Sequence, residues 1–211
     1  MKFVWGVLLA TAIWAGDFKY AVDAYHEGNY IKALDTFYRI AKEEGSAEAQ
    51  FNIGLIYANG KGVKQDTSQA TAWYRKAAKQ GNTAAQYNLA KLLDSAKNGQ
   101  KQEEQIVYWY EKAVKGGQRE AMNNLALHYL KEGAIEKHEE KALKLFQKAA
   151  ELGDLNAQLN MALLYAWGET IPQDKPLAYR YLRKALSEGK TEASDYLERL
   201  CRESAWACQN P

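Results

Sequence analysis

The residues of this 211-residue chain that could support redox or metal chemistry are two cysteines and three histidines. Cys201 and Cys208 lie seven positions apart near the end of the sequence. In a reducing compartment they would be free thiols or metal ligands, whereas an even pair in an exported protein is typically a disulfide. His26, His128 and His138 show no metal-ligand spacing with one another or with the cysteines. We therefore predict no metal site and no cofactor.

A Ser-x-x-Lys string at Ser187 and Lys190 is the one candidate nucleophile motif. In penicillin-recognising enzymes this motif begins a helix, so that Ser and Lys stand one turn apart. Here Gly189 lies between the two residues, and the partner motifs Ser-Asp-Asn and Lys-Thr-Gly are absent from the sequence. We interpret the string as an accidental match and predict no catalytic residue. A β-lactamase-like hydrolase is the least favoured alternative.

Composition and charge limit the class of protein. Hydrophobic residues make up 47% of the chain and only three residues are proline, which is typical of a globular protein with short irregular segments. The 28 Lys and Arg residues nearly balance the 26 Asp and Glu residues, for a net charge of +2. Binding of nucleic acid requires a clustered basic face, so this balance argues against a nucleic-acid partner.

The first fifteen residues differ from the rest of the chain. Lys2 is followed by an apolar run over residues 3–13 and by small residues up to Ala15, before the first acid at Asp17. This pattern is typical of a signal peptide cleaved after Ala15 or, alternatively, after Ala12. A spanning helix needs roughly 20 apolar residues, so no stable membrane span is expected in the mature chain. We expect a secreted or periplasmic protein, and a docked N-terminal helix is the alternative.

The chain repeats itself with a period of 36 residues. Apolar residues within each unit follow helical spacing on two successive segments, and a glycine suited to ending a helix closes each unit. The glycine column is Gly45, Gly81, Gly117, Gly153 and Gly189, and two alanine columns are Ala49, Ala85, Ala121, Ala157 and Ala193 with Ala41, Ala77, Ala113, Ala149 and Ala185.

These columns predict an all-α fold, an α-solenoid of about five antiparallel helix pairs with a C-terminal capping helix. The small residues are expected where two helices approach closely. Residues 1–15 would be the signal peptide, and residues 16–211 would form a single repeat domain. Its units are expected at about 17–45, 46–81, 82–117, 118–153 and 154–189, with a partial unit at 190–211.

The second unit carries the most specific motifs. The residues are Ala49-Gln50-Phe51-Asn52-Ile53-Gly54-Leu55-Ile56-Tyr57, then Gly60-Lys61-Gly62-Val63, Asp66, and Ala70-x-x-Trp73-Tyr74-x-Lys76-Ala77-Ala78-x-x-Gly81. This stretch resembles the Sel-1-like repeat, a relative of the tetratricopeptide repeat, and the resemblance covers residues 17 to 203. It implies a scaffold that binds a protein or peptide, with the partner and the oligomeric state unspecified. A scaffold associated with envelope polysaccharide is the second alternative.

The same resemblance implies a concave groove lined by one stripe of the first helices, two, five, nine and twelve residues into each unit. Such a mixed apolar and cationic surface would suit an extended peptide or a partner helix. The expected groove residues are Phe51, Leu55, Asn59, Tyr87, Lys91, Ser95, Asn123, Leu127, Lys131, Leu159, Leu163, Trp167, Asp195 and Arg199. Cysteine-rich members of the family tie a helix to the following segment with Cys-x6-Cys, which implies a disulfide between Cys201 and Cys208.

Two further columns are interpreted as structural. Asn52 and its equivalents at 88, 124 and 160 are expected to bond backbone at the turn between repeats. The aromatic pairs of the second helices, such as Trp73 and Tyr74, are expected to pack in the core, with a sugar-stacking platform as the alternative. His128 replaces an aliphatic residue and is expected to pack half-buried. Trp167 and Trp206 fall outside the columns and are candidate contact residues.

Overall fold

The computed structural model describes residues 16–96, 100–131, 138–168 and 171–209. The predicted signal peptide, residues 1–15, lies outside them. The described chain is helical and contains no strand, so the predicted all-α solenoid of helix pairs is confirmed. The helices are α1 (described over residues 16–26), α2 (Tyr30–Glu43), α3 (Ala47–Asn59), α4 (Thr67–Lys79), α5 (Thr83–Ser95), α6 (Gln100–Lys115), α7 (Glu120–Leu130), α8 (Glu139–Glu151), α9 (Leu155–Trp167), α10 (Lys175–Ser187), α11 (Ala193–Glu203) and α12 (Ala205–Gln209).

Local chemistry explains where these helices begin and end. The side chains of Ser46 and Asp154 accept hydrogen bonds from the backbone N–H three residues later, which caps α3 and α9. After α4, Gly81 has a φ of +94°, a conformation that only glycine adopts without strain. The next N–H, of Asn82, donates to the carbonyl of Ala77 and closes the helix. The glycine column thus ends each second helix, as predicted.

The described helices form two compact units, α1 to α6 and α7 to α12. In the first unit, α2 packs on α3, α3 on α4, α4 on α5 and α5 on α6. In the second unit, α7 packs on α8, α8 on α9, α9 on α10 and α10 on α11. The short helix α12 packs on both α10 and α11, so two helices occupy the C-terminal segment where one was expected. Consecutive packing is the arrangement expected of a helical repeat.

The core of each unit is built from the repeated columns. Tyr74 is 2% exposed, and Phe146 of the second unit is fully buried. A Cβ atom on Gly54 would lie 2.7 Å from Cδ1 of Tyr74, so the small residue of α3 is needed for the close approach of α4. The exposure of the residue that precedes this buried ring differs between repeats. Trp109 is buried, whereas Trp73 is half-buried. The core interpretation therefore holds for both rings of the Trp109–Tyr110 pair, but for only one ring of the Phe37–Tyr38 and Trp73–Tyr74 pairs.

None of the helices over the described ranges is both long enough and apolar enough to cross a membrane.

Candidate partner-binding surface

The expected groove residues lie mainly at the surface of the first helices. In the first unit, the stripe on α3 runs from the half-buried Phe51 and Leu55 to the exposed Asn59. On α5 it runs from the half-buried Tyr87 to the exposed Lys91 and Ser95. In the second unit, the exposed members are Leu127, Lys131, Asp195 and Arg199, and the half-buried members are Leu159, Leu163 and Trp167.

The aromatic members of the stripe rest on the second helices. The ring of Phe51 lies 5.8 Å from that of Tyr74, and the ring of Tyr87 lies 6.1 Å from that of Tyr110. Lys91 places its Nζ atom 5.4 Å from the centre of the Tyr87 ring, one turn along the same helix. The buried rings of Tyr74 and Tyr110 therefore support the aromatic members of the stripe, and Lys91 lies over the ring of Tyr87.

Asn123 differs from its neighbours on the stripe because it is only 6% exposed. Its Oδ1 atom accepts a hydrogen bond of 2.8 Å from Nδ2 of Asn160, which joins α7 to α9. Most of this side chain is therefore engaged between adjacent repeats and little of it can reach a partner.

Asn52 does not bond the turn between repeats, contrary to the expectation for the asparagine column. Nδ2 of Asn52 donates to the carbonyl of Glu48 in its own helix, at 2.8 Å. The carbonyl of Gly45, in the turn, instead accepts from Nε2 of Gln50 at 3.3 Å and from Nε2 of Gln80 at 2.8 Å.

A glutamine column therefore joins the repeats. Its members are Gln50, Gln86 and Gln158, all buried, and they share the 36-residue period with a gap at Met122. Gln86 and Gln158 donate to the carbonyls of Ala78 and Ala150, respectively. Their periodic spacing was the signal in the sequence, since a polar side chain that recurs next to the core column must find a partner when buried.

Trp167 and Arg199, expected at successive levels of the groove, meet directly. Cζ of Arg199 lies 4.6 Å from the centre of the Trp167 ring. Glu203 joins them, because its Oε2 atom accepts from the indole Nε1 at 2.6 Å and its Oε1 atom accepts from Nε of Arg199 at 2.8 Å. The hydrogen bond from Arg199, followed by that from Trp167, lowers the pKa of the Glu203 carboxyl. Arg199 thus already has a carboxylate partner within the chain.

The Ser-x-x-Lys string has no catalytic geometry. Oγ of Ser187 donates to the carbonyl of Lys184 at 2.8 Å, and Nζ of Lys190 bonds Oε1 of Glu192 at 3.3 Å. Ser187 is the last residue of α10, so the motif ends a helix instead of beginning one.

Two of the three histidines, His128 and His138, are part of the packing. His128 is 6% exposed, more deeply buried than expected, and the ring of His138 lies edge-on to that of Tyr129 at 5.1 Å. In the part of the chain that the structure describes, no group of three or more His, Cys, Asp or Glu residues could hold a metal ion.

Cys201 and Cys208 form a disulfide that connects α11 to α12. Between them, the buried Ser204 accepts a hydrogen bond of 2.7 Å from Nζ of Lys175, the first residue of α10. Ala207 is fully buried, whereas the adjacent Trp206 is 60% exposed. The disulfide thus helps to hold the short segment α12 against α10.

Comparison with known proteins identifies the repeat. The family described as Sel1 repeat matches four consecutive segments, residues 47–82, 83–118, 119–154 and 155–190. No protein of curated function matches the chain.

Solved structures share the fold. A Sel1 repeat protein from Oxalobacter formigenes is 32% identical, with a TM-score of 0.69, over 78% of this chain and 65% of that one. The protein c5321, a protective antigen of uropathogenic Escherichia coli that displays an SLR fold, is 33% identical, with a TM-score of 0.76, over 89% of this chain and 41% of that one. The chain thus spans less than two thirds of the length of either relative. The immunity protein PA5088 from Pseudomonas aeruginosa, 22% identical over 83% of this chain and 68% of that one, shares the fold alone, with a TM-score of 0.52.

Proposed function

The chain belongs to the Sel1 repeat family, and on that premise we propose that it is an exported scaffold that binds a protein or peptide partner along the stripe of its first helices. Sel1 repeats commonly mediate protein–protein interactions, and the family is typically non-enzymatic. The proposal therefore assigns the protein a role in positioning a partner, with no reaction of its own.

The observation that carries the proposal is the exposure of Leu127 on α7. This side chain is 47% exposed, whereas its helix neighbour Leu125 is 3% exposed. Leu163 occupies the equivalent position one repeat later, on α9, and is half-buried. An extended peptide or an amphipathic helix that crosses both repeats would meet an apolar side chain at each level.

The disulfide supports export. Disulfides form and persist in oxidising compartments such as the periplasm and the extracellular space, and are rare in the cytosol. A bond between Cys201 and Cys208 is consistent with the apolar, small-residue pattern of residues 1–15. Periplasmic and secreted locations satisfy both observations equally.

Affinity capture with matched variants tests the proposal. Wild-type protein and the variants Leu127→Glu and Leu163→Glu would be immobilised and exposed to envelope extract, and the retained proteins identified by mass spectrometry. Leu152→Glu is the control, because Leu152 is 45% exposed but lies at the end of α8, away from the stripe. We expect the two stripe variants to lose the proteins that the wild type and the control retain. Equal retention by all four proteins would contradict the assignment of the binding face.

A further inference from the structure

A cleft on the opposite set of helices has the composition of a binding site. It is lined by residues of α2, α3 and α4 in the first unit and has a volume of about 560 Å³, within the range of roughly 300–1,000 Å³ typical of ligand pockets. None of its lining residues belongs to the expected groove, so the inference below does not depend on the proposed function. The lining residues are Tyr38, Arg39, Ala41, Lys42, Glu43, Gln50, Trp73 and Lys76.

The floor of this α2–α4 cleft is aromatic and rigidly held. The rings of Tyr38 and Trp73 lie 5.3 Å apart at an angle of 82°, an edge-to-face arrangement. The hydroxyl of Tyr38 is 3.0 Å from that of Tyr57. Burial, followed by this hydrogen bond, raises the pKa of Tyr38 to about 12, so the Tyr38 hydroxyl stays neutral. The floor therefore offers an apolar surface of fixed shape.

A cation is fixed above this floor. Nζ of Lys76 lies 3.7 Å from the centre of the Trp73 ring, so the ring restricts where the ammonium group can point. Among the residues that the structure describes, no carboxylate pairs with Lys76 or with Lys42. Arg39, in contrast, pairs with Asp17 at 3.0 Å.

The net charge of the cleft can be neutralised by one carboxylate. Three cations and one acid, Glu43, line the cleft, and Asp17 compensates Arg39, so one positive charge is in excess. A polyanion would find too few cations here. One excess positive charge above an aromatic floor therefore favours a single carboxylate flanked by apolar groups.

We propose that the α2–α4 cleft binds a glutamate or aspartate side chain of an acidic peptide segment, with Lys76 as the carboxylate ligand and Trp73 and Tyr38 as the platform for the flanking apolar side chains. The protein would then hold a second polypeptide segment on the face formed by its second helices, in addition to any partner on the first helices. Lys42 supplies the nearby second cation.

Nuclear magnetic resonance titration of the full chain tests this proposal. The probes are acetyl-Leu-Glu-Leu-amide, its isosteric control acetyl-Leu-Gln-Leu-amide, and trigalacturonate. We expect the glutamate peptide to shift the indole N–H resonance of Trp73 with saturation, and the glutamine peptide to bind at least about tenfold more weakly, because it lacks the charge-assisted bond.

Two variants distinguish binding in the cleft from a general effect of charge. Lys76→Gln should weaken binding of the glutamate peptide at least about tenfold. Lys79→Gln removes the same charge from an exposed position of α4 outside the cleft, and should leave affinity unchanged. Equal binding of the two peptides, equal effects of the two variants, absence of a saturable shift at Trp73, or saturation by trigalacturonate in preference to the peptide would each overturn the proposal.

Discussion

The indole Nε1 atom of Trp167 donates a hydrogen bond of 2.6 Å to Oε2 of Glu203, and this bond joins α9 to α11 across 36 residues of sequence. Arg199 completes the arrangement, with its guanidinium group above the indole ring. The end of the second unit is thus held by a polar clip, defined as Trp167, Arg199 and Glu203, in addition to the disulfide.

Acidification should open this clip. Because the pKa of Glu203 is lowered in the folded protein, its stabilising contribution is present above the unfolded pKa and is lost as the pH falls through the folded value. We expect the emission of Trp167 to change with a midpoint below 4.5, the ordinary glutamate value. Fluorescence titration measures this, Trp167→Phe identifies the signal, and Glu203→Gln should abolish the transition. An unchanged transition in Glu203→Gln would show that another group is responsible.

The two leucines of α7 should respond oppositely to truncation. Leu125→Ala removes a side chain that is 3% exposed and should lower the free energy of unfolding by about 2–5 kcal/mol. Leu127→Ala removes one that is 47% exposed and should change it by less than about 0.5 kcal/mol. Urea unfolding of both variants provides the measurement. Similar losses would mean that the stripe on α7 is part of the packed interface.

Reduction of the disulfide should loosen the C-terminal segment. A bond between residues seven positions apart closes a loop whose chain-entropy contribution is about 2.5 kcal/mol. We expect a reductant to lower the melting temperature of the wild type. The double variant Cys201→Ser/Cys208→Ser should melt at that lower temperature with or without reductant. Titration of two free thiols in the untreated protein would contradict the bond.

Replacement of Gln158 by methionine should lower the free energy of unfolding less than replacement by alanine. The side chain is fully buried, and its Oε1 atom has no partner within the described structure. Its Nε2 atom bonds Glu188, which is exposed and can be hydrated instead, and the carbonyl of Ala150, which also accepts from the N–H of Gly153. Methionine already occupies the equivalent position at Met122, so Gln158→Met should change stability by less than about 1.5 kcal/mol, whereas Gln158→Ala should cost about 2–5 kcal/mol. Urea unfolding distinguishes them, and equal losses would indicate that the hydrogen bonds dominate.

Export should leave a mature chain that begins at Gly16. The sequence of residues 1–15 predicts cleavage after Ala15, and Asp17, two residues further along, forms an ion pair with Arg39. N-terminal sequencing of the protein from envelope fractions tests this. A chain that begins at Ile13 would support the alternative site after Ala12, and retention of Met1 would reject export by cleavage.

The repeat architecture could be predicted because its determinants are local. A glycine such as Gly81 ends a helix through its own backbone conformation, and an alanine or glycine such as Gly54 permits close approach wherever two helices cross. Because these requirements recur in every unit, the 36-residue period alone predicts helix pairs, their order and their core columns.

Which residues lie at each surface was decided by the tertiary structure. Adjacent residues on a helix differ by about 100° in direction, so the period alone could not tell that Tyr74 is buried while Trp73 lies at the α2–α4 cleft. The asparagine and glutamine columns share one period, and only the packed helices show that glutamine reaches carbonyls at the C-terminal ends of the second helices or just after them.

Contacts between residues far apart in the sequence show most clearly what only the tertiary structure decides. Trp167 and Arg199 are 32 positions apart, and no pattern in the sequence predicts that Glu203 bonds both of them. The bonding depends on the angle at which α11 packs in the second unit. That angle depends on many side chains at once, so it exists only in the folded chain, whereas the glycine that ends each helix acts through its own backbone.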